Sequence, residues 1–199
     1  MKKLLYFLAP LILIGCAAPP KTTFEKMSES LDTNKSSATR EYKGKSPKEV
    51  LEASHKALYM LDPGYDMEFD LTADKLFAKR AWVVYLVVWS TLGLDQYNVS
   101  VEKIPNGTKS MLAFGSDSLP IIWPPNSFKK DLDVGYMENP ADFKLFHDRV
   151  EYLLGMRKDW VTCDAAKAKQ PDPKKEMFLC DSVGLENISP EDQLAKDFK

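Results

Sequence analysis

The chain has 199 residues, is 44% hydrophobic and 28% charged, and sets 27 Lys and Arg against 29 Asp and Glu for a formal net charge of −2. That balance leaves no basic footprint of the kind phosphate recognition requires, so nucleic acid is not an expected partner. The length suits one domain with a real core plus tails.

The chain opens "MKKLLYFLAPLILIGC": two lysines, an apolar run from Leu4 to Ile14, then Gly15 and Cys16. A charged start, an apolar stretch of about ten residues and a small residue before the break describe a secretory signal peptide. A membrane-spanning helix needs about twenty apolar residues to cross roughly 30 Å of hydrocarbon, so this run is too short to span. Leu13-Ile14-Gly15-Cys16 also resembles the bacterial lipobox. That resemblance implies cleavage before Cys16 and diacylglyceryl and acyl chains on its sulfur and new N-terminus. The competing reading is an ordinary cleaved signal with an unmodified Cys16. Each buried methylene contributes about 0.8 kcal/mol, and a second chain makes anchoring stable. Ala17 and Ala18 follow, with no aspartate after the cysteine. By the sorting pattern of lipobox proteins this implies the outer membrane, with the protein facing the periplasm. Loss of Lys2 and Lys3 leaves 25 basic against 29 acidic residues, a mature charge of −4.

From Ala17 to Lys45 the text is polar and rich in Ser, Thr and Lys, without helical periodicity. Such a segment cannot bury enough surface to offset its ordering entropy. Residues 16–45 are therefore expected to be a lipidated, flexible tether with a reach of about 30 Å. A helix is expected from "SPKEVLEASHKALYMLD". Ser46 and Glu49 form a capping box, Pro47 takes the first helical position, and Val50, Leu51, Ser54, Ala57, Leu58 and Leu61 share a face. "DMEFDLT" alternates as a strand with one wet face. "RAWVVYLVVWSTLGL" is the most apolar part of the mature chain and reads as one strand, since its residues are β-branched, aromatic or leucine. "QYNVSVEKI" alternates as a third strand, Asn106-Gly107 marks a hairpin turn, and "KSMLAFG" returns as a fourth. "GSDS" at Gly115 to Ser118 reads as a turn and "LPIIWPPNSF" as a loop. A second long helix opens at Asn139 and Pro140 with Asp142 answering its dipole, and Phe143, Phe146, Val150, Leu153 and Leu154 form its stripe.

The order helix, four strands, helix predicts an α+β fold: a two-layer domain with a four-stranded, mostly antiparallel meander sheet flanked by two helices. The expected division is residues 1–15 signal peptide, 16–45 tether, 46–182 domain and 183–199 polar tail. The stretch from "LFHDRVEYLLG" to "DWVTC" also resembles uncharacterised exported lipoproteins with a small helix-and-sheet module, and no activity follows from that likeness.

Cys163 and Cys180 form an even pair in an exported chain and are expected to be a disulfide, worth about 3 kcal/mol in the chain-entropy model. No cofactor motif is present: G-x-G-x-x-G and P-loop patterns are missing, and no H-E-x-x-H supports a metal. His147, beside Asp148 and one turn before Glu151, is a candidate base, but a helix-surface histidine among ordinary charges is the simpler reading. The second apolar row of the Trp82–Trp89 strand needs a cover. "LPIIWPP", "EMFL" or both would supply it; otherwise the row is a binding groove. The candidate binding surface is Trp82, Val84, Leu86, Val88 and Trp123. The function expected is a non-enzymatic, membrane-anchored binding or scaffold lipoprotein acting on another envelope protein. The alternative is a carrier or sensor of an apolar ligand such as a lipid, and the last is a hydrolase centred on His147.

Overall fold

Ser46 starts the first long helix in the way its neighbours dictate. In the computed structural model, which describes residues 35–61, 67–85, 90–121, 139–172, 174–180 and 190–191, the Glu49 backbone N–H donates to Ser46 Oγ at 3.3 Å and the Ser46 N–H donates back to Glu49 Oε2 at 2.8 Å. The elements in chain order are a helical turn α1 (Lys35–Ala38), strand β1 (Thr39–Lys43), helix α2 (Pro47–Tyr59), strands β2 (Glu68–Leu71), β3 (Lys75–Tyr85), β4 (Ser90–Ile104) and β5 (Gly107–Ile121), helix α3 (Pro140–Leu153) and short helix α4 (Cys163–Lys167). A 3₁₀ turn follows at Phe178–Cys180. The signal peptide, Cys16, most of the tether, Leu86, Val88 and Trp123 lie outside the described residues.

The fold is mixed α and β, with an open antiparallel sheet of five strands in the order β1-β5-β4-β3-β2. Four strands were expected. The additional one, β1, falls inside the stretch read as tether. "TREYK" carries charges because an edge strand tolerates and uses them, while its Tyr42 is fully buried. The apolar run also divides differently from the expectation. Tyr85 pairs with Ser90, so the chain reverses between β3 and β4 inside the segment read as a single strand. Ser90–Ile104 is then one continuous strand that absorbs "QYNVSVEKI". "GSDS" is strand as well, with Ser116 opposite Asp95 and Ser118 opposite Gly93.

The β4–β5 hairpin turns at Pro105 and Asn106, with Ile104 opposite Gly107. Gly107 has φ +149°, and a Cβ there would meet the Tyr42 carbonyl oxygen at 2.2 Å. Both facts require glycine at this position.

Residues directly opposite one another share a sheet face, so the register lays out rows across β3, β4 and β5. Leu76, Val99 and Leu112 form one row, Ala78, Tyr97 and Phe114 the next, and Arg80, Asp95 and Ser116 the third. The first two rows are buried. Over them lie Val50, Leu51, Ala57 and Leu58 of α2 and Phe143, Phe146 and Val150 of α3, all in one buried cluster. Phe114 packs edge-on to Phe143 at 5.1 Å and stacks on Phe178 at 5.4 Å. Fully burying side chains of this size contributes about 1.5–3 kcal/mol each.

"EMFL" therefore covers the helix-bearing face, because Phe178 meets Phe114 and Tyr97 there. Asp142 stands in the first turn of α3, as expected, and has a second role. It is buried and accepts the backbone N–H groups of Phe178 and Leu179 at 3.2 and 2.9 Å, which pins the C-terminal segment to α3. In the stretch read as a polar tail, Pro190 is buried and Glu191 accepts a hydrogen bond from the Tyr152 hydroxyl.

Candidate functional site

Beyond the two buried rows the chemistry of the sheet changes. Asp95 is 1% exposed and sits where the alternation calls for an apolar residue. A buried carboxylate needs donors, and the flanking strands supply them. Arg80 donates through Nε at 3.1 Å and Nη2 at 2.5 Å to Oδ2. Trp82 Nε1 and Ser116 Oγ donate to Oδ1 at 2.9 and 2.6 Å. This knot ties β3, β4 and β5 together at the border between core and open sheet.

The knot also holds the indole of Trp82 flat against the sheet. Gly93 lies opposite Trp82, and a Cβ there would stand 2.0 Å from ring atoms Cε2 and Cζ2. Only glycine leaves room for the ring. Past Trp82 the strand carries Val83, 40% exposed, and Val84, 45% exposed, on alternate faces. Of the five residues named from sequence as a binding surface, Trp82 and Val84 are described, on one face and two positions apart along β3.

His147 is not on the helix surface. It is buried, its Nε2 lies 3.0 Å from the Ala38 carbonyl and its Nδ1 lies 2.8 Å from the Tyr42 hydroxyl. A carbonyl only accepts, so Nε2 carries the hydrogen and Nδ1 accepts from Tyr42. The ring is thus neutral and bridges α3 to α1 and β1. Burial depresses its pKa to about 4, and raises that of the Tyr42 hydroxyl far above its usual value. Both ring nitrogens are engaged, so His147 presents neither to a substrate.

The charges around His147 form a cluster of their own. Asp148, buried, faces Lys144 at 2.5 Å, Arg157 at 3.4 Å and Arg40 at 3.5 Å, and Arg40 Nε donates to Glu151 at 2.8 Å. Arg40 belongs to β1, so the charges of "TREYK" dock the edge strand on α3. Sequence spacing had shown only His147 beside Asp148 and one turn before Glu151; the i,i+4 pair of Lys144 and Asp148 and the reach of Arg40 from β1 come from the fold.

Cys163 and Cys180 are joined by a disulfide with a Cα–Cα distance of 5.6 Å. Beside it Arg149 is fully buried, donates through Nε to the Val161 carbonyl at 3.1 Å and lies 4.8 Å from the centre of the Trp160 ring. The other histidine, His55, packs edge-on to Phe69 at 4.3 Å, and partial burial lowers its pKa. Among the described residues no group of three His, Cys, Asp or Glu is gathered that could hold a metal ion, and no helix is long and apolar enough to cross a membrane.

The knot was missed from sequence because its members are far apart in the chain; the available signal was an acid at an inward position of an alternating strand. No protein-family model matches this chain, and comparison with characterised proteins and with solved structures finds no match.

Proposed function

We propose that this is a lipoprotein anchored through acylated Cys16 in the outer membrane. Its two-layer α+β domain binds another envelope protein in the periplasm and carries out no catalysis of its own. The observation that supports the binding role is the end of β3. Val83 and Val84 stay exposed beside Trp82, whose ring is held in place by Asp95 and Gly93. An aromatic fixed in advance with β-branched neighbours loses little conformational entropy on contact, which is what a binding hot spot requires. Exposed strand residues of this kind reach a partner without rearrangement of the core.

Affinity capture of the lipidated protein from membranes tests this, with mass spectrometry of recovered protein and lipid. A specific protein is expected with the wild-type chain and is lost with Val83→Lys and Val84→Lys. Recovery of a specific lipid and no protein would replace the binding module by the apolar-ligand carrier. Recovery of neither would end both readings.

A further inference from the structure

A groove of about 370 Å³ lies between the outward side of α3 and the segment that carries α4. Leu145, Val161 and Ala166 give it apolar walls. Its charged lining is Lys144, Arg157 and Lys169 against the single carboxylate of Asp148, a net charge of +2. Asp148 is buried and holds Lys144 and Arg157 at 2.5 and 3.4 Å. It fixes where these cations stand without matching their number.

Gln170 lines the same groove. Its Nε2 donates to the Lys175 carbonyl at 3.0 Å, which sets the orientation of the amide, and its Oε1 is buried without a hydrogen-bond partner. A buried acceptor in that state is disfavoured until an N–H reaches it.

We propose that this groove takes the C-terminal residues of a partner polypeptide. The free α-carboxylate lies among Lys144, Arg157 and Lys169, the last apolar side chain rests on Leu145 and Val161, and a main-chain N–H reaches Gln170 Oε1 as the glutamine side chain turns into the groove. Three features select this occupant. The excess positive charge calls for an anion, and charge-assisted contacts are the strong ones. The walls call for an apolar group beside that anion. The orphan acceptor calls for an N–H, which a fatty acid lacks. The volume sits near the lower end of ligand clefts, which run from about 300 to 1,000 Å³, and suits a chain end rather than a whole helix. Capture of a terminal carboxylate is an established way of recognising peptides. This inference goes beyond the contact proposed at β3 and rests only on the reading of the domain as a binding module.

The test uses the full-length protein in detergent and an array of pentapeptides ending in each proteinogenic amino acid, made both as free acids and as C-terminal amides. Free acids with an apolar last residue are expected to bind, and amidation to weaken them at least about tenfold, the effect of losing one charge-assisted contact. Lys144→Gln and Lys169→Gln, both at exposed side chains, are expected to weaken binding similarly while leaving the circular dichroism unchanged. Equal binding of acids and amides, no binding by any acid, or binding indifferent to both variants overturns the proposal. So does lauric acid competing while no peptide binds. Loss of the envelope partner with Val84→Lys, alongside a peptide-negative array, overturns the groove and leaves the wider binding function standing.

Discussion

His147 makes the stability of the fold depend on mildly acidic pH. In the unfolded chain its imidazole titrates near 6.5; in the folded chain burial holds it neutral down to about 4. As pH falls below 6.5 the unfolded state takes up a proton that the folded state refuses. The stability contributed is therefore complete above pH 6.5, declines through the interval down to about 4, and declines no further below it. Each unit of displacement is worth about 1.4 kcal/mol, so the full loss is about 3 kcal/mol. Protonation of Nδ1 also removes the acceptor for the Tyr42 hydroxyl, which is itself buried. The assay is urea unfolding of the oxidised protein between pH 7.5 and 4, compared with His147→Gln. The glutamine amide can still donate to the Ala38 carbonyl and does not titrate. It is expected to cost about 1–2 kcal/mol at pH 7, by leaving Tyr42 unsatisfied. His55 and the capping Glu49 titrate in both proteins and cancel in the difference. That difference is expected to shrink as pH falls below 6.5 and to reverse sign by pH 4.5, where the wild type has lost more than the substitution costs. A difference independent of pH, or a His147 resonance titrating near 6.5 in the folded protein, would refute the reasoning.

Three further outcomes follow from the same geometry. Asp95→Ala leaves the partly buried Arg80 guanidinium without this carboxylate and is expected to cost about 3 kcal/mol, the lower end for breaking a buried pair, read as a fall in the urea midpoint, together with a change in near-ultraviolet circular dichroism as Trp82 is released. Replacing Cys163 and Cys180 together by serine is expected to cost about 3 kcal/mol, and reduction of the wild-type protein should give the same midpoint. Cys16→Ser is expected to abolish palmitate labelling and release the chain from membranes; a variant that remains labelled and membrane-bound contradicts the anchor.

The helices could be read in advance because their signals are local. Ser46, Pro47 and Glu49 lie within one turn, as do Asn139 and Pro140, and the expected face from Val50 to Leu58 of α2, with Leu61 just beyond its end, is buried residue for residue. The sheet was harder because pairing is long-range. β1 pairs with β5 some seventy residues away, and nothing in "TREYK" advertises a strand except Tyr42. The reversal between β3 and β4 was hidden because "WVVYLVVW" contains no Gly, Pro or Asn to mark it. Asp95, His147 and the anchoring role of Asp142 were misread or passed over for a shared reason. Each is a polar residue buried by partners brought from another element, and the sequence shows the residue without the partner. Spacing within α3 placed Asp148 beside His147, whereas the groove Asp148 lines also needs Arg157 and Lys169 from the segment beyond the helix.

The central claim is that the domain meets an envelope protein through the free end of β3. A photoactivatable amino acid in place of Val84, compared in living cells with one at the exposed Glu52 of α2, tests it most directly. One discrete protein adduct is expected from the Val84 position and none from Glu52. Adducts to lipid alone, or the same adducts from both positions, would contradict it.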